Sequence, residues 1–135
     1  MPLLKIVRRY NLQSLERRKW RVMERIADGD ETAVHELELI ETLLKLGEEE
    51  GELEYYEEEV VAYDPKLHSK LFTYNTIKLL KTILDGVESI SECARKVHRN
   101  VSNVWKDLKW LEKLDFIMLY RDGKFSKPIP IVVEY

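Results

Sequence analysis

The sequence predicts a mainly helical α+β fold that ends in a small β-hairpin. Apolar residues recur at helical spacing through most of the 135-residue chain. A run of β-prone residues follows the last of these segments, and the dipeptide Asp122-Gly123, a strong turn signal, divides that run in two. Apolar residues make up 44% of the sequence, which is enough to build a hydrophobic core.

The composition also limits where we expect the protein to act. No apolar stretch reaches the roughly 20 residues that a membrane span needs, and the apolar residues at the N terminus are too interrupted for a signal peptide. The single cysteine, Cys93, excludes an internal disulfide and suits a reducing compartment. We therefore expect a cytoplasmic protein with no membrane partner.

The first half of the chain is predicted as an N-terminal helical extension. Residues Gln13 to Ala27 and Glu31 to Leu46 have the spacing of two amphipathic helices, and Gly47 has the position of a helix stop. Because each helix is amphipathic and neither has an obvious partner, we expect them to form a dimerisation layer of a homodimer. We assign residues 1–62 to this region.

An acidic stretch follows the second helix. Eight of the twelve residues from Glu48 to Glu59 are glutamates. The pattern is typical of a solvated helix continuation or loop, and the alternative is an acidic surface that binds a basic protein partner. After it, Val60 to Tyr63 is predicted as a short strand, and Asp64-Pro65 breaks any helix at that point.

Residues 63–135 carry a more regular succession of helices. Thr73 to Leu84 is predicted as a helix, with Ile77, Leu80, Lys81 and Leu84 on successive turns. Ser89-Ile90-Ser91-Glu92 matches a capping box that opens a second helix. This helix ends near Val97, and it is expected to bury Ile90, Cys93, Ala94 and Val97. A polar turn then leads to a third helix, at about 101–114, in which Val101, Val104, Leu108 and Leu111 recur at spacings of three and four and Val104 and Leu108 are taken as inward.

The last elements form the hairpin. Phe116 to Arg121 is predicted as one strand and Lys124 to Tyr135 as the other, which Pro128 and Pro130 make irregular because proline cannot donate to a ladder. The order of helix, helix, turn, helix and hairpin is that of a winged helix-turn-helix. It assigns a recognition helix to 101–114 and a wing to about 116–133.

Charge is divided unevenly between the two halves. Residues 1–70 contain 11 Lys/Arg and 17 Asp/Glu, whereas residues 71–135 contain 11 Lys/Arg and 8 Asp/Glu. The segment from Arg95 to Lys113 contains six basic residues and only two acidic ones. Because the location of positive charge matters more to DNA binding than the net charge of -3, the pattern favours double-stranded DNA as a partner.

Eight side chains are predicted to contact that DNA. Asn103 and Lys106 lie early enough in the third helix to reach base edges, where Asn suits adenine and Lys suits guanine. Arg99, Ser102 and Lys109 are better placed for phosphates. The remaining candidates, at the hairpin, are Arg121, Lys124 and Lys127.

Other functions find less support in the sequence. A helical pair with a hairpin also occurs in modules that bind only protein, which is the alternative interpretation. For an enzyme, the sequence has no glycine-rich phosphate loop and no metal-ligand spacing among His35, His68, His98 and Cys93. We therefore predict no catalytic residue, no metal and no cofactor.

The segment from Asn103 to Ile117, NVWKDLKWLEKLDFI, resembles the recognition helix and first wing strand of MarR-like winged-helix regulators, found in archaea and bacteria. The similarity extends over about residues 60–135 and includes Lys127-Pro128 and Pro130. Two departures are Asp115, where glycine is usual, and the tryptophans at 105 and 110. The resemblance implies a homodimeric transcription factor, usually a repressor on a pseudo-palindromic operator; some such proteins are antitoxins that also bind a toxin.

Overall fold

A computed structural model describes residues 3–135, except the side chain of Asp122. The two residues that begin the predicted region 1–62 lie outside the described part. The fold is mixed, with helices and small antiparallel strand pairings. Its elements, in chain order, are β1 (Leu3–Tyr10), α1 (Leu12–Ala27), α2 (Ala33–Glu50), β2 (Tyr55–Ala62), α3 (Pro65–Leu71), α4 (Tyr74–Asp85), α5 (Ile90–Lys96), α6 (Val101–Lys113), β3 (Ile117–Asp122), β4 (Phe125–Pro130) and β5 (Val132–Glu134).

The chain divides into two compact units. One, the helical-hairpin unit, is Arg9–Glu57; the other, the C-terminal unit, joins the N-terminal strand up to Arg8 to Glu58–Tyr135. The sequence does not indicate that the first strand belongs with the C-terminal residues, because strand pairing over such a separation leaves no local pattern.

The helical-hairpin unit is held by an apolar seam between α1 and α2. Leu15, Val22, Ile40 and Leu44 are buried there. The two helices therefore bury part of their apolar faces against each other within the chain. Charge reinforces the seam, because the Arg18 guanidinium lies 3.0 Å from the carboxylates of both Glu36 and Glu57.

The second helix runs further than the sequence predicts. Gly47 does not end it; α2 continues to Glu50, and Gly51 adopts the left-handed conformation (φ 81°) that terminates it. Gly47 is instead a site of close packing, since an added Cβ would lie 2.6 Å from a Leu12 methyl carbon and 3.0 Å from the Leu53 Cβ. The acidic stretch therefore belongs partly to α2 and partly to β2, and the strand predicted at 60–63 begins earlier.

The core of the C-terminal unit lies among α4, α5, α6 and the strands. Thr76, Leu79 and Ile83 are the buried residues of α4; of the apolar residues predicted on successive turns, Leu80 is half-buried, whereas Ile77 and Leu84 are exposed. The Asp64-Pro65 pair opens α3 rather than only ending the strand. The Asp64 carboxylate accepts from the N–H groups at Lys66 and Leu67, and proline occupies the first turn, where no donor is needed.

The strands form two sheets. One has the order β2-β1-β5, with β5 antiparallel to β1, and the other is the β3-β4 hairpin. The second strand predicted at 124–135 is thus two strands, which separate at Ile131. The side chain of Ile131 is buried, and the backbone N–H of Ile131 donates to the Phe116 carbonyl. The final strand consequently leaves the hairpin and joins the first strand of the chain.

Candidate functional site

Helix α6 presents one apolar and one polar face. Asn100 caps its start, because the side-chain oxygen accepts from the Ser102 N–H at 2.8 Å. Val104, Leu108 and Leu111 are fully buried, as the sequence predicts. Val101 is not; its side chain is 48% exposed at the first turn.

The outward face of α6 is basic and accessible. Ser102, Asn103, Lys106, Lys109 and Lys113 are all exposed. Lys106 and Lys113 have no carboxylate partner among the side chains that the structure describes, whereas the Lys109 ammonium lies 3.3 Å from Glu112 and 5.3 Å from the centre of the Trp105 ring. Four of the five predicted contacts near this helix therefore lie together on an open surface.

The two carboxylates of α6 offset only part of this positive charge. Asp107 pairs with Arg99 at 2.8 Å. Glu112 accepts from the Leu119 N–H at 3.1 Å, which ties the helix to strand β3, and it also contacts Lys109. Both carboxylates are at least three-quarters buried as side chains, so the exposed charge of the helix is positive.

Arg99, the fifth predicted contact near this helix, lies in a different environment. Its side chain is only 20% exposed and one guanidinium nitrogen is held by Asp107. A second nitrogen, Nη1, is buried and has no hydrogen-bond partner in the described part of the chain. This arrangement braces the turn between α5 and α6 and leaves little of the guanidinium open to a phosphate.

Helix α5 packs against the buried face of α6. Cys93, Ala94 and Val97 are buried against it, as predicted, and Ile90 is half-buried. Ser89 caps the helix by accepting from the Glu92 N–H at 3.1 Å. Burial and, after it, the nearby Glu92 carboxylate raise the pKa of the Cys93 thiol to about 11, which agrees with a thiol that packs as a small apolar group.

The C-terminal end of α6 is held by a residue that the sequence does not single out. Arg8, in β1, donates from Nε to the Asp115 carbonyl at 3.1 Å and from Nη2 to the Leu114 carbonyl at 3.0 Å. Its Nη1 lies 3.6 Å from Glu59, and the side chain is only 10% exposed. A cation at this end complements the helix dipole and satisfies carbonyls that no helical N–H can reach.

A weak signal for this residue does exist in the sequence. Leu4, Ile6, Arg8 and Tyr10 are buried in alternation, which is the period of a strand with one face inward.

Asp115, the residue after the helix, has a φ of 58°, so the aspartate adopts the left-handed conformation expected where glycine is usual.

The tip of the β3-β4 hairpin carries further cations. Its two loop residues are Gly123, with a φ of 60°, and Lys124, because Asp122 pairs with Phe125. Arg121 and Lys124 are exposed. Lys127 is partly buried and lies 3.4 Å from Glu88.

A groove runs between this hairpin and the first turns of α5 and α6. We name it the hairpin groove; its volume is about 230 Å³. Its lining side chains include Val101, Trp105, Phe125, Ser89, Ser91 and Lys124. Phe125 is 67% exposed and Trp105 is 40% exposed, so neither aromatic ring is a core residue.

Much of the acidic stretch in β2 is neutralised within the chain. Glu57 pairs with Arg18, Glu58 with Lys5 and Glu59 with Arg8. The glutamates at the end of α2 remain exposed. The surface left for a basic protein partner is smaller than the sequence alone indicates.

Over the part of the chain that the structure describes, no cluster of three or more His, Cys, Asp or Glu side chains could hold a metal ion. None of its helices has the length and apolar character to cross a membrane.

Residues 71–132 match the model of the HVO_A0114 family. The matched segment contains α4, α5, α6 and the β3-β4 hairpin, and it amounts to slightly less than half of the chain. The family's name states no activity. No curated protein and no solved structure matches the chain.

Proposed function

We propose that the protein is a sequence-specific transcription factor of the winged helix-turn-helix type that binds double-stranded DNA. The observation that carries the proposal is the outward face of α6, on which Ser102, Asn103, Lys106, Lys109 and Lys113 are exposed. Of its three lysines, only Lys109 pairs with a carboxylate among the described side chains. A helix that packs on a second helix through its apolar face and exposes a basic face suits insertion into a major groove.

In this proposal the exposed residues have different roles. Lys106 and Asn103 contact base edges, because they lie in the first half of the helix, and Ser102 and Lys109 bind phosphates. The hairpin acts as the wing, with Arg121 and Lys124 on the backbone next to the bound groove. Arg99 is a bracing residue rather than a phosphate contact, because Asp107 already holds it.

The proposal includes a cytoplasmic homodimer that resembles MarR-like regulators and acts as a repressor. The helical-hairpin unit supports the dimer, because Trp20, Leu39 and Leu46 are large apolar side chains exposed on its surface. Trp20→Glu and Leu46→Glu are expected to convert a dimer to a monomer in sedimentation experiments. Unchanged dimer mass in both variants would remove this unit from the interface.

Binding to the DNA upstream of its own gene tests the function directly. The purified protein is titrated with that DNA and with a scrambled duplex at several salt concentrations. We expect preference for the natural sequence, and a loss of about 1–3 kcal/mol in Lys106→Ala if that side chain reads a base. Equal affinity for both duplexes would leave only non-specific electrostatic attraction.

The alternative function is an interaction module or antitoxin that binds a basic protein through the acidic stretch. It is the less favoured candidate, because three glutamates of β2 already pair with Arg18, Lys5 and Arg8. No observation on the described residues favours it over DNA.

A further inference from the structure

We propose that the hairpin groove holds one sugar–phosphate strand of the bound duplex and that its aromatic rings select deoxyribose over ribose. The inference rests on the proposed function, and it adds a second, uncharged contact to the basic face of α6. It assigns a role to Phe125 and Trp105, two exposed aromatic residues that the basic surface does not explain.

The lining of the groove has two kinds of chemistry. Val101, Trp105 and Phe125 contribute apolar surface, and Ser89, Ser91 and Lys124 contribute hydroxyl and ammonium groups. A DNA strand has the same division, because its phosphates accept hydrogen bonds and its deoxyribose rings present carbon and hydrogen at the 2′ position. A purely apolar occupant would leave the hydroxyl groups and the ammonium unmatched.

The position of the groove agrees with that occupant. It lies between α6, which carries the exposed Lys106 and Lys109, and the hairpin tip, which carries Lys124 and Arg121. A strand that leaves the basic face of α6 toward the hairpin passes through the groove, with positive charge on both sides. The surface is therefore continuous with the proposed major-groove contact and complementary in charge to a polyanion.

The expected selectivity for deoxyribose follows from the apolar side chains of the lining. A ribose in the same place would bury its 2′-hydroxyl against the rings of Phe125 or Trp105 without a hydrogen-bond partner, and an unsatisfied polar group in such a contact is costly. The 2′-hydroxyl is the group by which proteins distinguish RNA from DNA at a given site. The groove would thus exclude it locally, at the nucleotides that lie between the two rings.

The test uses the full chain and a fluorescent DNA duplex from upstream of its own gene, with single ribonucleotides placed at successive positions of each strand. We expect one or two positions at which the added 2′-hydroxyl weakens wild-type binding about tenfold. Phe125→Ala should bind the all-DNA duplex about tenfold more weakly, the effect of withdrawing roughly 60 Å² of apolar surface. In that variant the penalty of the ribonucleotide should disappear, and Phe125→Leu should retain most of both effects.

The dependence on salt separates this contact from an ionic one. Because Phe125 is uncharged, Phe125→Ala should lower affinity without changing the slope of log K against log salt, whereas Lys124→Ala should make the slope shallower by about one phosphate contact. Tyr74→Ala, which removes an aromatic ring that is 74% exposed and outside the groove, is the matched control and should bind as the wild type does.

The possible failures are distinct. Absence of wild-type binding to any DNA would overturn the proposed function, and the groove inference with it. Normal DNA binding in which no ribonucleotide position is penalised, or in which Phe125→Ala binds as tightly as the wild type, would overturn the groove inference alone.

Discussion

Replacing Arg8 by alanine is expected to destabilise the C-terminal unit by about 3–4 kcal/mol. The guanidinium donates two hydrogen bonds to the carbonyls of Leu114 and Asp115, at 3.0 and 3.1 Å. Hydrogen bonds from a charged donor contribute about 1.5 kcal/mol or more each, and a cation at a helix C terminus contributes up to about 1 kcal/mol in addition. The ion pair with Glu59, which is half exposed, adds little.

Urea unfolding followed by tryptophan fluorescence measures this loss. Trp105 and Trp110 lie in the C-terminal unit and Trp20 lies in the other, so a Trp20→Phe background makes the signal specific to the unit that contains Arg8. The matched control is Lys5→Ala, on the same strand, whose exposed pair with Glu58 should contribute less than about 1 kcal/mol. If the two alanine variants lose the same stability, Arg8 does not hold the end of α6.

Three further predictions follow from particular residues. Gly47→Ala should lower the melting temperature of the helical-hairpin unit, because the new methyl group would lie too close to Leu12 and Leu53. Overpacking costs about 1–3 kcal/mol, which exceeds the gain of about 1 kcal/mol in helix propensity. A higher melting temperature would contradict the close approach. His98→Gly should raise the free energy of unfolding by about 0.5–1 kcal/mol in urea titrations, because residue 98 has a φ of 56° that glycine adopts without strain, and a loss of stability would show that the imidazole makes a stabilising contact. Burial raises the pKa of Cys93 from 9.0 to about 11, so the neutral thiol's contribution to the free energy of unfolding is complete below pH 9 and should be lost as the pH rises toward 11. Cys93→Ala, measured in parallel, should lack this part of the decline. Identical pH profiles of the two proteins would exclude the buried thiol as its source.

The sequence predicts α5, α6 and the hairpin well because their signals are local. Ser89 opens the capping-box motif that marks the start of α5, and Val104, Leu108 and Leu111 recur at helical spacing on a single face of α6. Helix α4 is predicted, but its buried residues Leu79 and Ile83 are not singled out, because Ile77 and Leu84 extend the same apolar face toward solvent.

Features that depend on distant contacts could not be predicted. The role of Arg8 requires β1 to lie beside the end of α6, more than 100 residues later in the chain. Gly47 is read as a helix stop because the sequence does not show Leu12 and Leu53 packed against it. Likewise, the pairing of Arg99 with Asp107 removes from the exposed surface a cation that composition alone assigns to DNA.

The most direct test of the central proposal is the salt dependence of DNA binding in a pair of matched double variants. One variant, Lys106→Ala with Lys113→Ala, removes two exposed lysines from the outward face of α6; the other, Lys45→Ala with Lys66→Ala, removes two exposed lysines elsewhere. We expect the first to weaken binding and to make the slope of log K against log salt shallower by up to about two units, while the second leaves both unchanged. Equal slopes in the two variants would show that α6 is not the surface that meets DNA.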